Sequence, residues 1–428
     1  MLLKSSLNEK VAQDDLNDLS GLRDDNAAVS EIAANVDALP MVFAMSLELA
    51  GFNHVSERIH RLTQWALRLT ESGYAYFYLY KDRRLILASS QKPDMLKDLQ
   101  SHNHWYQKIV LPVDDTSLAG SSAAQGRMLF VPDMRNFPAD IKCDFNPRHE
   151  NIHNYKTVST LTIPLIDEYE RLLGVLQLVN LGRCQEIRRP LSANSWLAML
   201  QNASTQILAQ GLQMHSNTMR TLGVVQLHDP RETLDHVTRL GAYAAELYQA
   251  LNPHEDEEQL AKYRDMVRIA AMYHDLGKVA VPSAILQKAG PLDLREFLHM
   301  QSHTIKGAGL FMDGDTELDR VCVEVMLNHH ENWDGSGYPG YLATDNPGLG
   351  ILGSGKKGDE IPLFARIVAL VDVYDALSTR SAHKEAWPEE AVLENIKAGS
   401  GRLFDPQVVE AFFDIYDVIK AIRLRHPN

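Results

Sequence analysis

The chain has 428 residues, 45% hydrophobic and 23% charged, which is ordinary for a globular protein and enough for two or three domains with separate cores. Its formal net charge of −14 excludes broad binding to nucleic-acid polymers, which needs clustered Lys and Arg, but not a small anionic ligand. Three cysteines far apart (Cys143, Cys184, Cys322) give no disulfide framework, and no apolar run approaches the roughly 18 residues of a membrane span, so a cytoplasmic protein is expected.

Residues 1–45 are polar and acidic with little periodicity, and read as a mobile or weakly helical arm. From about 51 to 72 the pattern turns helical, with Val55, Ile59, Leu62, Ala66 and Leu69 on one face. Strand-like runs follow at 74–80, 84–90, 128–134, 159–166 and 171–181, the last two flanking the turn-like Asp167–Glu170. A helix, several strands and a closing hairpin predict an α+β unit of the sensor type.

The sequences Phe-Val-Pro-Asp-Met (130–134), Thr-Leu-Thr-Ile-Pro-Leu-Ile (160–166) and Gly-Val-Leu-Gln-Leu-Val-Asn (174–180) carry a resemblance to GAF domains. The resemblance places a GAF-like sensor at 46–188 and implies a small ligand of unknown identity. His102, His104, Cys143, His149 and His153 sit in no ligand-spaced motif and read as loop residues rather than a haem or metal site. A helical linker is expected over 189–228, where Trp196, Leu200, Ala203, Ile207 and Met214 share one a/d seam interrupted by Gln210. A connector helix packed on its own domains and a homodimer seam both fit; its place in the chain inclines the reading to the dimer.

After 228 the chemistry begins. In His-Asp-Pro-Arg-Glu-Thr-Leu-Asp-His, Asp229 is the expected N-cap and Pro230 lies in the first turn. Glu232 and His236 then stand at i, i+4, close enough to serve one metal cluster. An apolar run ends in His274 and Asp275, followed by Gly277 and Lys278. His303, the His329–His330 pair and Asp372 come later, on or at the ends of helix-like segments. Five histidines and three carboxylates so placed predict a metal site. Imidazole and carboxylate without thiolate suit iron or manganese, with zinc, nickel or cobalt also compatible.

The motifs His-Asp-Leu-Gly-Lys (274–278), His-Thr-Ile-Lys-Gly-Ala-Gly (303–309), His-His-Glu-Asn-Trp-Asp-Gly-Ser-Gly-Tyr-Pro-Gly (329–340) and the 361–377 segment resemble, in that order, the HD-GYP family of the HD phosphohydrolase superfamily. The resemblance implies an all-α HD-type domain over 229–428 that hydrolyses a cyclic dinucleotide, cyclic di-GMP or cyclic GMP-AMP, with two or three divalent metal ions. Carried over residue by residue, the ligands are Glu232, His236, His274, Asp275, His303, His329, His330 and Asp372, with Glu232 at the position of a third metal. Asp275 and Lys278 take the catalytic roles. Lys278, Gly337, Tyr338, Pro339, Arg380 and Lys384 are the expected substrate contacts. Two stretches depart from the family pattern: a Gly- and Pro-rich insertion of about a dozen residues at 341–355, and Ser381 where an Arg is usual. A mononucleotide or alarmone phosphohydrolase and a non-catalytic adaptor with a structural metal are the competing readings.

Overall fold

The computed structural model describes residues 40–91, 109–141, 143, 156–183, 187, 191, 195–342, 353–380 and 385–427. Residues 40–50 are helical, and Val42 and Met45, at the end of what reads by composition as a polar arm, are buried with Leu49 in the N-terminal core. Helix α1 (Val55–Thr70) buries all five residues of the predicted face. Strands β1 (Ser72–Lys81), β2 (Arg84–Gln91), β3 (Val110–Pro112), β4 (Leu129–Val131), β5 (Thr160–Ile166) and β6 (Leu172–Leu181) form one sheet in the order β3-β2-β1-β6-β5-β4. Every pairing in it is antiparallel.

Strand alternation decides which residues meet which layer. Ala75 and Phe77 of β1 join Leu176 and Leu178 of β6 and Leu161 and Ile163 of β5 against α1. Tyr76, Tyr78, Val175 and Val179 face the other side, where Ala119 of helix α2 (Leu118–Gln125) covers them. This is the expected α+β unit.

Helix α3 (Ser195–His228) runs 34 residues, roughly 50 Å at 1.5 Å per residue, and serves both halves. Trp196, Leu200 and Ile207 are buried in the core of the N-terminal unit. Its last turns bury Leu222 against Val237, Ile269 and Met272 of the C-terminal half. The a/d seam is therefore turned inward, against α1 and the sheet. The connector reading describes it, and the seam gives no support to a dimer.

The C-terminal half is helical: α4 (Leu234–Leu251), α5 (Glu257–Tyr273), a 3-10 turn (Leu276–Ala280), α6 (Ser283–Leu286), α7 (Leu294–Gly309), α8 (Glu317–Asn328), α9 (Leu363–Ser378), α10 (Glu389–Gly399), α11 (Pro406–Asp414) and α12 (Tyr416–Arg425). The larger apolar core of this half is drawn mainly from α4, α5, α8, α9, α10, α11 and α12. The two halves meet through charge as well. Asp265 of α5 accepts the backbone N–H groups of Asn53 and His54, each at 2.7 Å, just before α1. Among the described residues, no helix is long and apolar enough to cross a membrane.

Candidate active site

The site is assembled from helix ends and helix faces. Asp229 does not cap α4: that place belongs to Thr233, whose hydroxyl accepts the N–H of His236. Asp229 instead pairs with Arg231 at 2.9 Å and lies 3.6 Å from Lys278. The chain needs the 229–232 turn to leave α3 before α4 begins, so the capping residue comes later than the sequence pattern indicates. Glu232 thus precedes the helix, yet its Oε2 is still 3.7 Å from His236 Nε2.

His274 ends α5, and Asp275 follows it before the 3-10 turn that brings Lys278 back. His303 projects from α7, and His329 ends α8 with His330 next to it. Asp372 lies within α9, its Oδ1 3.6 Å from His236 Nε2 and 3.9 Å from His274 Nε2. The ligand atoms gather into two groups, Glu232–His236–His274 and Asp275–His303–His329–His330. Asp275 joins them. Its Oδ1 is 3.0 Å from His303 Nε2 and 3.7 Å from His329 Nε2, whereas its Oδ2 is 3.1 Å from His274 Nε2.

Four rings are held by their far nitrogens, which leaves Nε2 aimed inward. His274 Nδ1 contacts Ala271 O at 2.9 Å, His303 Nδ1 contacts Met300 O at 2.6 Å, and His329 Nδ1 contacts Val325 O at 3.1 Å. His236 Nδ1 is 2.8 Å from Asp375 Oδ2. Such outer contacts orient metal-ligating imidazoles. Glu232 Oε2, His274 Nε2 and Asp275 Oδ1 are buried but make no hydrogen bond of acceptable geometry. Buried polar atoms ordinarily find partners, and orphans turned into the two ligand groups fit bound cations.

The electrostatics say the same. Burial opposes charge on His274, but Asp275, Asp372 and Glu232 outweigh it and push the imidazole up to about 9. Burial works against the Asp275 carboxylate too, yet Lys278, His274 and His303 hold it well below the usual range. In the other group, burial followed by the neighbouring His329 and His303 keeps His330 well below the usual value. Lys278 Nζ sits 2.6 Å from both Asp275 Oδ2 and Glu232 Oε1. Negative charge is in excess here, and the ammonium partly balances it.

Tyr338 stacks on His330, with centroids 4.7 Å apart and planes 27° from parallel. Gly337 cannot carry a side chain, since a Cβ would lie 2.3 Å from Asn332 N and 2.5 Å from His330 O. Glu331, which sequence reasoning passed over, ties the loop down by accepting Gly340 N at 2.5 Å and Lys356 N at 3.1 Å. The two ends of the insertion are closed on each other through Tyr341 N to Ser354 O at 3.1 Å and Gly353 N to Pro339 O at 3.2 Å. Residues 343–352 lie outside the described residues, as do Ser381 and Lys384. Arg380 is exposed and pairs with Glu385 at 3.1 Å. Of the residues set aside in the sensor, Cys143 packs beside Leu129 and Val131, and the four histidines lie outside the described residues.

Asp375 is the other residue missed. A second acid three places after Asp372, on a helix otherwise apolar, was the available signal.

Residues 224–408 match the family model described as HD domain, and residues 54–210 the one described as GAF domain. The 3'3'-cGAMP-specific phosphodiesterase 2 of Vibrio cholerae is 37% identical over 198 residues, covering 46% of this chain and 34% of that protein. A cyclic di-GMP phosphodiesterase of the same organism is 32% identical, covering 60% of this chain and 52% of the relative. The cyclic di-GMP phosphodiesterase response regulator RpfG of Xanthomonas campestris is 34% identical, covering 50% and 55%. The chain spans about a third to a half of the length of these curated relatives. The chain thus joins a GAF domain to an HD domain, and its C-terminal half is similar to curated cyclic-dinucleotide phosphodiesterases.

Proposed function

We propose that the HD domain is a metal-dependent phosphodiesterase that hydrolyses a cyclic dinucleotide, cyclic di-GMP or 3'3'-cyclic GMP-AMP, to a linear dinucleotide or mononucleotide, and that the GAF domain regulates it through a small ligand. The observation that carries this reading is the Asp275 carboxylate, whose two oxygens face two different groups of ligands. The activities named for the relatives supply the substrate class.

Glu232, His236, His274, Asp275, His303, His329, His330 and Asp372 would hold two or three divalent ions, iron or manganese by donor type. Bound ions of this kind supply Lewis acidity toward phosphoryl oxygens and a water acidic enough to act as nucleophile at neutral pH. Burial opposes the charge on Lys278, but Asp275 and Glu232 outweigh it and keep the ammonium protonated. A cation fixed there offsets charge growing on a phosphoryl group. Tyr338, flat on His330 and aimed by Gly337 and Pro339, offers an aromatic face for a base. Arg380, and Lys384, which lies outside the described residues, are the basic residues proposed for the second phosphate.

The test is a hydrolysis panel. Metal-free protein is loaded anaerobically with Fe²⁺ or Mn²⁺ and offered cyclic di-GMP, 3'3'-cyclic GMP-AMP and cyclic di-AMP. A guanine-containing cyclic dinucleotide should be turned over, and the folded H274A/D275A variant should lose both turnover and at least one equivalent of metal. Parent activity in that variant, or a loaded parent inert toward all three, would overturn the proposal.

A further inference from the structure

Asp375 lies on α9, one turn beyond Asp372, and is wholly buried. Its carboxylate is fully used. Oδ2 meets His236 Nδ1 at 2.8 Å and Arg239 Nη2 at 2.8 Å, while Oδ1 accepts Arg239 Nε at 2.7 Å and the Tyr243 hydroxyl at 3.3 Å. Arg239 is among the largest fully buried side chains of the described residues, and it spends its remaining arm on His426 O at 2.8 Å.

Why His236 needs a carboxylate follows from its place. His274, His303 and His329 each have a full helical turn behind them, so a carbonyl three or four residues back lies beside the ring and holds Nδ1. His236 is in the first turn of α4, with no helical turn behind it to offer a carbonyl, and the unused backbone groups there are N–H donors. An acceptor must come from another helix. Asp375 is that acceptor, and Arg239, one turn along α4 from His236, neutralises it so that the pair can be buried.

We propose that Asp375, locked by Arg239, is a positioning residue: it fixes the proton of His236 on Nδ1 and presents Nε2 to the Glu232–His236–His274 group. This rests on the metal reading above. The carboxylate touches no member of the Asp275–His303–His329–His330 group, so its effect belongs to one ion and not to the site as a whole.

The experiment is a Mn²⁺ titration of metal-free full-length protein, with free Mn²⁺ read by electron paramagnetic resonance, on the parent, D375N, H236A and H236A/D375N. In D375N the affinity of one class of Mn²⁺ should fall by about 10–100-fold while the other class is unchanged. In the H236A background, D375N should change nothing further. Should D375N not fold, ¹⁵N-histidine spectra of the metal-free parent, assigned against H236A, decide the matter: the His236 proton is expected on Nδ1. A folded D375N with parent affinity in both classes, an equal loss in the H236A background, or a proton on Nε2 would overturn the positioning role. A parent that takes up no Mn²⁺ would overturn the metal reading itself, a distinct result.

Discussion

Gly277, between Asp275 and Lys278, is where the smallest change should do the most damage. A Cβ there would lie 2.0 Å from His303 O, 2.5 Å from Gly307 N and 2.9 Å from Gly307 Cα, all of them backbone of α7. Ordinary contact begins at 3.4 Å, so G277A must drive the turn and α7 apart by roughly 1.4 Å. Neither side can yield by turning a side chain. Overpacking of this kind costs about 1–3 kcal/mol, and backbone on both sides puts it near the upper end, at about 3 kcal/mol. For a domain of this size that lowers Tm by about 6–12 °C. The same shift opens the 3.0 Å approach of His303 to Asp275, whereas metal distances tolerate only about 0.2 Å. Differential scanning fluorimetry and elemental analysis should therefore report an unstable, metal-poor protein. G309A is the control: its Cβ meets nothing within 4 Å at the end of the same helix, and it should match the parent or exceed it by up to about 1 kcal/mol. G277A with parent Tm and metal content would refute the reasoning.

Glu232 offers Oε1 to Lys278 and leaves Oε2 without a hydrogen bond. E232A should lower the metal-to-protein ratio in elemental analysis while retaining part of the activity; an unchanged ratio rejects a third ion there. His426 supplies the pH dependence. Half-burial, then the charges of Arg425, Arg239, Arg268 and Lys81, push it down to about 4. Its stabilising contribution is present above the unfolded value of about 6.5 and is lost as pH falls toward 4. Between pH 8 and pH 5 linkage gives about 2 kcal/mol, or about 1 kcal/mol after allowance for partial exposure. Urea unfolding of H426Q should show a pH slope shallower by that amount, and superimposable slopes for parent and variant would dismiss the effect.

What could be read from the sequence divides along physical lines. The eight proposed ligands were legible because each lies in a local motif, and local motifs survive without knowledge of packing. Helix α1 and the four longer strands were legible from periodicity. Strand β3 has three residues and no room for alternation, and α2 is Leu-Ala-Gly-Ser-Ser-Ala-Ala-Gln, too weakly amphipathic to register. Asp229 was misplaced because two capping residues, Asp229 and Thr233, compete within one stretch and only the exit angle of α3 chooses between them. Asp375 left a trace as a second acid on α9, but its role was not legible for a different reason: its partner His236 is 139 residues away, and pairing at that separation is decided by how α4 packs on α9. The α3 seam had the right periodicity, and its Trp196, Leu200 and Ile207 are buried against the chain's own N-terminal unit. Apolar spacing says that a face is buried but not against what.

The same geometry gives the proposed regulation a physical route. Helix α5 carries Asp265, which grips the start of α1 in the GAF domain, and ends at His274 nine residues later, roughly 13 Å along the axis. Arg61 of α1 reaches the first turn of α5 through Glu257 at 2.5 Å, and Arg68 does so at 3.0 Å, so α1 holds α5 at more than one point. At the far end of the chain, Arg425 donates to Leu87 O of β2 at 3.1 Å, and the neighbouring His426 carbonyl accepts from Arg239, which fixes Asp375 and through it His236. Each line ends on a member of the Glu232–His236–His274 group. A rigid helix transmits a displacement without attenuating it, and ligand distances lose affinity over a few tenths of an ångström. A ligand that moves α1 or β2 against the HD domain by so little would therefore bear first on that group. The Asp275–His303–His329–His330 group, set on α7 and α8, receives the displacement less directly, through Asp275 and through the packing of α5 on α8, where Lys262 meets Glu317 at 2.5 Å.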